Sequence, residues 1–204
     1  MLDCSIIIPH KPAISNNKAL ELNIKMLLRH TNIQYELIID SEHPKDPYRI
    51  WNEVVKKVRS NVVVFSNSDV IFGPGWDILV CNVNPNQIIT GYLVEPGNIG
   101  VAEANIYKDF GKTPDDFDIM AFENFVRGET QHIEIGNIFK QERGWYMPCA
   151  MDREWFLDVG GFPMELGFPN PNDAIFWDKC VADYNTTLLR VPSYAYHFQN
   201  LSSR

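Results

Sequence analysis

Short apolar runs alternate with helical patterns along the first half of the chain. Four stretches dominated by apolar, mostly β-branched residues predict buried strands at 4–8, 36–39, 62–65 and 87–94. After the first run, Leu20, Ile24 and Leu27 recur at helical spacing. After the second, Asp46-Pro47 is typical of a helix start. This order of strands and helices indicates a parallel α/β sheet with right-handed crossovers.

The second half of the chain has weaker periodicity. Residues 113–116 (Thr-Pro-Asp-Asp) predict a helix start capped by Thr113, and Asp152 predicts the cap of another helix. A further helix is predicted at 172–184. No repeat, low-complexity tract or linker interrupts the sequence, so we predict one domain spanning 1–204.

Composition and charge narrow the function classes. The chain has 204 residues, of which 45% are hydrophobic and 22% charged, as in a globular domain with a real core. Its formal net charge of −8 argues against nucleic acid or an anionic membrane surface as partners. No apolar stretch approaches the ~18 residues of a membrane span, and no signal peptide is recognised. We therefore expect a cytoplasmic protein, with its four unclustered cysteines reduced.

Polar residues follow the first three predicted strands. These residues are Pro9-His10-Lys11, Asp40-Ser41 and Asn67-Ser68-Asp69. Because the carboxyl ends of parallel strands share one edge, where α/β sheets bind ligands, the three ends predict one crevice. A carboxylate such as Asp69 suits Mg²⁺ or Mn²⁺, which share oxygen ligands with substrate phosphates. Taken alone, the third end is more typical of a polar turn with Asp69 as its cap than of a metal site.

The residues after the third strand favour a metal site over a simple polar turn. Residues 69–76 (Asp-Val-Ile-Phe-Gly-Pro-Gly-Trp) resemble the stretch that begins at the DXD motif of inverting family-2 glycosyltransferases of the GT-A fold. Residues 5–9 and 37–41 resemble that family's first two strands, and 156–162 its acceptor-side Gly-Gly-Phe segment. Asn172-Asp173 stands where the family has a Glu-Asp pair. The matches keep the family's order over nearly the whole chain. A narrower resemblance is to the compact glycosyltransferase domain encoded by large algal viruses.

The resemblance implies a fold and a reaction. The fold is a Rossmann-like, three-layer α/β/α sandwich with a mainly parallel sheet. Residues 1–94 would be its nucleotide-sugar-binding half and 95–204 its acceptor-side half. The reaction would be inverting transfer of a sugar from a nucleotide-diphosphate sugar, expected to be a UDP-sugar, to a carbohydrate hydroxyl. Mn²⁺ or Mg²⁺ would assist departure of the diphosphate.

The resemblance also assigns residues to the donor and the metal. Asp40 would meet the base, Asn67 the ribose, and Asp69 the metal, with His197 as a further metal ligand. The other residues expected along the donor are Pro9, His10, Lys11, Arg49, Asn52 and Ser68. For His197 a packed position in an aromatic strand is equally favoured, and for Lys11 and Arg49 a solvated surface position is the alternative.

Asp173 is the candidate general base, since an inverting transfer needs a carboxylate to take the acceptor proton. Its alternative is a helix cap. Trp145 and Tyr146 are candidate acceptor-lining aromatics, although most aromatic residues belong to a core.

Two departures from the family's sequence pattern support alternative functions. Asn67 and Asn172 are neutral where the family carries acids, which favours a non-catalytic nucleotide- or carbohydrate-binding module as the main alternative. A sugar nucleotidyltransferase is less favoured, because the loop after the first strand, 9–12 (Pro-His-Lys-Pro), lacks the glycines of a phosphate-binding loop.

Overall fold

The computed structural model describes residues 2–42, 46–97, 105–131, 140–141, 147–164 and 172–198. The strands are β1 (Cys4–Pro9), β2 (Tyr35–Asp40), β3 (Val62–Phe65), β4 (Val70–Phe72), β5 (Gln87–Glu95), β6 (Asn105–Tyr107), β7 (Lys140–Gln141), β8 (Cys149–Asp152) and β9 (Thr187–His197). The helices are α1 (Ile14–His30), α2 (Pro47–Val54), α3 (Ile119–Thr130), α4 (Arg153–Asp158) and α5 (Asn172–Tyr184), with a 3-10 helix at Trp76–Val80.

The described strands form one mixed sheet. Seven of them follow the order β2-β1-β3-β8-β5-β9-β4, while β6 pairs with β5 and β7 with β9. Strands β2, β1 and β3 are parallel, and β5 and β9 are parallel to each other. Strand β8 runs antiparallel to both β3 and β5, so these two groups point the same way, and β4 is antiparallel to β9. The prediction of a mainly parallel sheet is confirmed.

Helices cover both faces of this sheet. Because successive side chains of a strand point to opposite faces, Ile7 packs in a different cluster from Ile6 and Ile8. The cluster around Ile7 includes side chains from α2, α4 and α5, and the cluster around Ile6 includes side chains from α1 and the 3-10 helix. The result is the predicted three-layer α/β/α arrangement. Among the described residues, no helix has the length and apolarity needed to cross a membrane.

Helix starts depend on local carboxylates, and one prediction about them is wrong. Asp46 caps α2 as predicted, because its side chain accepts from the Arg49 N–H at 3.1 Å. Residues 113–116 do not begin a helix. The Asp116 carboxylate accepts from the N–H and the hydroxyl of Thr113, at 2.7 and 2.6 Å, and so closes a turn. Helix α3 begins instead at Ile119, after its own cap Asp118.

Candidate active site

The three polar strand ends lie side by side. Strand β1 is central: Pro9 stands opposite Asp40 of β2, and the His10 N–H donates to the Asp40 carbonyl at 2.8 Å. On the other side, the Ser66 N–H donates to the Ile7 carbonyl at 3.2 Å, which continues the pairing beyond β3. The edge predicted from the sequence is therefore formed.

Helix α1 holds two of these ends through buried asparagines. Asn16 Nδ2 donates to the Lys11 carbonyl at 2.9 Å, and Asn23 Nδ2 donates to the Asn67 carbonyl at 3.4 Å. His10 Nε2 is 2.9 Å from Asn17 Oδ1. Three buried atoms of this group, His10 Nδ1, Asn16 Oδ1 and Asn23 Oδ1, have no hydrogen-bond partner among the described residues. The end of β1 and the turn after β3 are thus fixed against one helix.

Asp69 and His197 meet at the far end of the crevice, together with Glu95. Strands β4 and β9 pair Val70 with His197, and the Phe198 N–H donates to the Asp69 carbonyl at 3.1 Å. His197 Nδ1 is 2.7 Å from Glu95 Oε1, and its Nε2 is 3.6 Å from Asp69 Oδ2. The side chains of Asp69 and Glu95 are 1% and 0% exposed, whereas His197 is 22% exposed.

The imidazole of His197 carries a strongly shifted pKa. Burial lowers this pKa, but hydrogen bonds and charge interactions with Asp69 and Glu95 outweigh burial and raise it to about 9. The imidazolium therefore supplies positive charge between two buried carboxylates at neutral pH. A metal ion at the position that His197 Nε2 and Asp69 Oδ2 face would have to displace the Nε2 proton of this imidazolium.

The donor set fits a divalent ion only in part. Asp69 offers a carboxylate oxygen and His197 an imidazole nitrogen, both suitable for Mn²⁺ or Mg²⁺. Within the described part of the chain, no three His, Cys, Asp or Glu side chains form a metal-binding group. An ion held by this pair would need further oxygen ligands, which a diphosphate supplies.

Asp173 lies near the same edge of the sheet. It stands in the first turn of α5, and its Oδ1 accepts from the N–H of the next residue, Ala174, at 2.9 Å. Burial raises the pKa of Tyr48 in α2, and the nearby negative charge of Asp173 raises it further. Burial raises the pKa of Cys149, and the negative charge of Asp173 raises it further. Since Cys149 pairs with Phe65 at the end of β3, Asp173 is close to the turn that carries Asn67 and Asp69.

The two predicted donor residues of α2 occupy different environments. Arg49 is half exposed and its Nε contacts Glu53 at 2.9 Å. Asn52 is directed at the acceptor-side segment: its amide donates to the Phe162 carbonyl at 2.8 Å and accepts from the Phe162 N–H at 2.9 Å. Ser68 is buried beside Asp69, and the Asp40 carboxylate accepts from the Glu42 N–H at 2.8 Å. Trp145 and Tyr146 lie outside the described residues.

The sequence contained signals for three residues that the predictions left out. Glu95 follows the predicted strand at 87–94, the same placement that identified Asp40 and Asp69. Asn16 and Asn23 fall on the buried face of α1 with Ala19 and Leu20. A polar residue on the apolar face of a helix is buried, and a buried polar side chain is expected to form hydrogen bonds.

Comparison with known proteins finds similarity in structure but not in sequence families. No family model matches the sequence, and no curated protein matches it significantly. Among solved structures, GalNAc-T7 with UDP, GalNAc and Mn²⁺ is similar over 97% of this chain and 44% of its own, with a TM-score of 0.62 and 14% identity. TarS residues 1–349 from S. aureus is similar over 95% of this chain and 60% of its own, with a TM-score of 0.56 and 11% identity. The same TarS segment in complex with UDP gives a TM-score of 0.56 and 12% identity.

These similarities establish the fold. The chain has a GT-A glycosyltransferase fold, as the resemblance in its sequence predicted. It spans about half the length of the structures that it matches. The narrower resemblance to the viral domain stays a prediction.

Proposed function

We propose that this protein is a glycosyltransferase that transfers a sugar from a nucleotide-diphosphate sugar, with UDP as the nucleotide, to a carbohydrate hydroxyl. The observation that carries the proposal is the meeting of Asp69 with His197 beside the three polar strand ends, within a GT-A fold. Two of the similar structures hold UDP and one of these also holds Mn²⁺. Asp69, His197 and the polar strand ends would supply the groups that hold such a donor and its metal ion.

Each part of the donor has a candidate partner. Asp40, at the end of β2, would meet the base, and Asn67 would meet the ribose. His10 and Lys11, which follow β1, would line the same donor site. Asp69 and His197 would hold Mn²⁺ or Mg²⁺ together with diphosphate oxygens, and the ion would neutralise negative charge on the departing diphosphate. Asn67 adds no charge, so Asp69 is the main protein carboxylate of this site.

The acceptor proton is assigned to Asp173. In an inverting transfer the acceptor oxygen attacks the anomeric carbon as the bond to the diphosphate breaks, and a carboxylate takes the hydroxyl proton. Asp173 lies at the start of a helix, where the helix dipole stabilises its ionised form. Tyr48 of α2 lies near this carboxylate.

Calorimetry with UDP tests the proposal. We expect UDP to bind more tightly with Mn²⁺ than with EDTA, and Asp69→Asn to abolish this difference while leaving the fold intact. Asp183→Asn, which alters an exposed carboxylate on α5, should bind like the wild type. UDP release from a panel of UDP-sugars would then demonstrate turnover. Binding of UDP without UDP release from any donor, with carbohydrate acceptors present, would favour the non-catalytic module instead.

A further inference from the structure

Glu95 is a buried carboxylate at the end of β5 to which no role has been assigned. It is fully buried and accepts a 2.7 Å hydrogen bond from Nδ1 of His197. We propose that Glu95 is a positioning residue that fixes the His197 ring so that its Nε2 faces Asp69. The inference rests on the proposed function, because it concerns the side chains that would hold the metal.

The backbone places Glu95 behind the histidine ring. Strand β5 is parallel to β9, with Val94 opposite Tyr196, so the residues that follow each of them are neighbours. The Glu95 carbonyl accepts from the Lys108 N–H at 2.9 Å, which anchors the strand end. The glutamate therefore approaches His197 from a rigid element and not from a loop.

The hydrogen bond determines which nitrogen is available. An imidazole has two nitrogens, and the one that donates to a carboxylate keeps its proton. With Nδ1 donating to Glu95, only Nε2 is left to face Asp69, at 3.6 Å. Rotating the ring would leave the Glu95 carboxylate buried without this donor, which is costly for a charged group.

Glu95 acts through His197 and not as a metal ligand. Its contact is with Nδ1, on the side of the ring opposite the Nε2 that faces Asp69. A carboxylate in this position also increases the basicity of a metal-binding histidine. The arrangement orders the three side chains as Glu95, His197 and Asp69, with only the last two directed at the ion.

The test is the affinity of the UDP-saturated protein for Mn²⁺, measured from the free-ion signal in electron paramagnetic resonance. We expect Glu95→Gln to weaken Mn²⁺ binding by about 10–100-fold, the usual loss for a partner of a metal-binding histidine. Glu95→Asp keeps the charge but shortens the side chain, so it should weaken binding similarly. The matched control is Glu123→Gln, which alters a buried glutamate that contacts Arg29 and His30 instead.

A double-mutant cycle separates positioning from simple charge attraction. If Glu95 acts through the ring, Glu95→Gln has no further effect on Mn²⁺ affinity once His197 is replaced by alanine. Losses that multiply in the double variant, or wild-type affinity in Glu95→Asp, would overturn the inference. A wild-type protein that binds UDP without any effect of Mn²⁺ would instead refute the metal part of the proposed function and this inference with it.

Discussion

Two buried carboxylates and one histidine between them form the centre of the candidate site. Asp69 and Glu95 are almost fully buried, and His197 lies between them with a pKa raised to about 9 despite burial. Buried carboxylates persist only when a positive partner offsets their desolvation. Asp173 differs from this pair because it is only partly buried and contacts a tyrosine and a backbone N–H. This more open position is consistent with the general-base role proposed for Asp173.

Replacement of Asp173 by asparagine tests its role at this scale. The variant keeps the size and polarity of the side chain but removes the base, so kcat should fall by about 10²–10⁴-fold. Mn²⁺-dependent UDP affinity should stay near wild type, because Asp173 is assigned to the acceptor and not to the donor. The melting temperature should fall only slightly, because asparagine can still accept from the Ala174 N–H but loses the charge that favours the helix start. Asp178→Asn, an exposed change on the same helix, is the control. Near-normal transfer by the Asp173 variant would eliminate it as the base.

Two elements far apart in sequence meet through one amide. Asn52 of α2 bonds both backbone groups of Phe162, and the ring of Phe162 packs on Trp51 with centroids 5.4 Å apart. Gly161 makes this approach possible: its φ is +69°, and a Cβ there would lie 2.5 Å from Asn52 Oδ1. The Gly-Gly-Phe segment is therefore held against α2, the helix whose Tyr48 contacts Asp173.

Gly161→Ala is expected to disrupt this junction. The left-handed backbone alone costs a non-glycine residue about 1–3 kcal/mol, and the clash with Asn52 adds to this cost. Urea denaturation should show a lower unfolding midpoint. The matched variant Gly128→Ala, in α3, meets no atom within 4 Å and should be neutral or more stable by up to about 1 kcal/mol. Equal midpoints for the two variants would contradict the account of this junction.

The folded protein buries three of its four cysteine thiols. Cys4, Cys149 and Cys180 are buried in the core, and Cys81 is exposed after the 3-10 helix. Burial raises the pKa of both Cys4 and Cys180 to about 12. The pKa of Cys81 is raised as well, by desolvation and by the nearby charges of Asp77 and Asp3. Since the thiolate is the reactive form, folding protects three cysteines and slows the fourth.

Thiol labelling measures this protection. The native protein should react at one cysteine and the denatured protein at four. Labelling of the native protein should accelerate as pH rises from 7 towards 9, because a raised pKa leaves little thiolate at neutral pH. Cys81→Ser should remove the native reaction. Rapid labelling of a second thiol in the native variant would show that the core opens more readily than its burial implies.

Some features followed from the sequence because their causes are local. The apolar runs specified the strands, Asp46 specified the start of α2, and the rule for parallel sheets brought Pro9, Asp40 and Asn67 to one edge. The helix predicted from Thr113 failed because the Asp116 carboxylate accepts from the Thr113 N–H and closes a turn, whereas Asp118 caps the helix that begins at Ile119.

Other features required the tertiary structure. The sequence by itself determined the alternation of strands and helices, and with it the polar edge and the candidate carboxylate Asp69. It did not determine that β9 returns beside β4 and β5 and so places His197 between Asp69 and Glu95. The physical reason is that Glu95 and His197 are 102 residues apart in the sequence. They become neighbours only through the pairing register of β5 with β9, and that register depends on how the complete core packs.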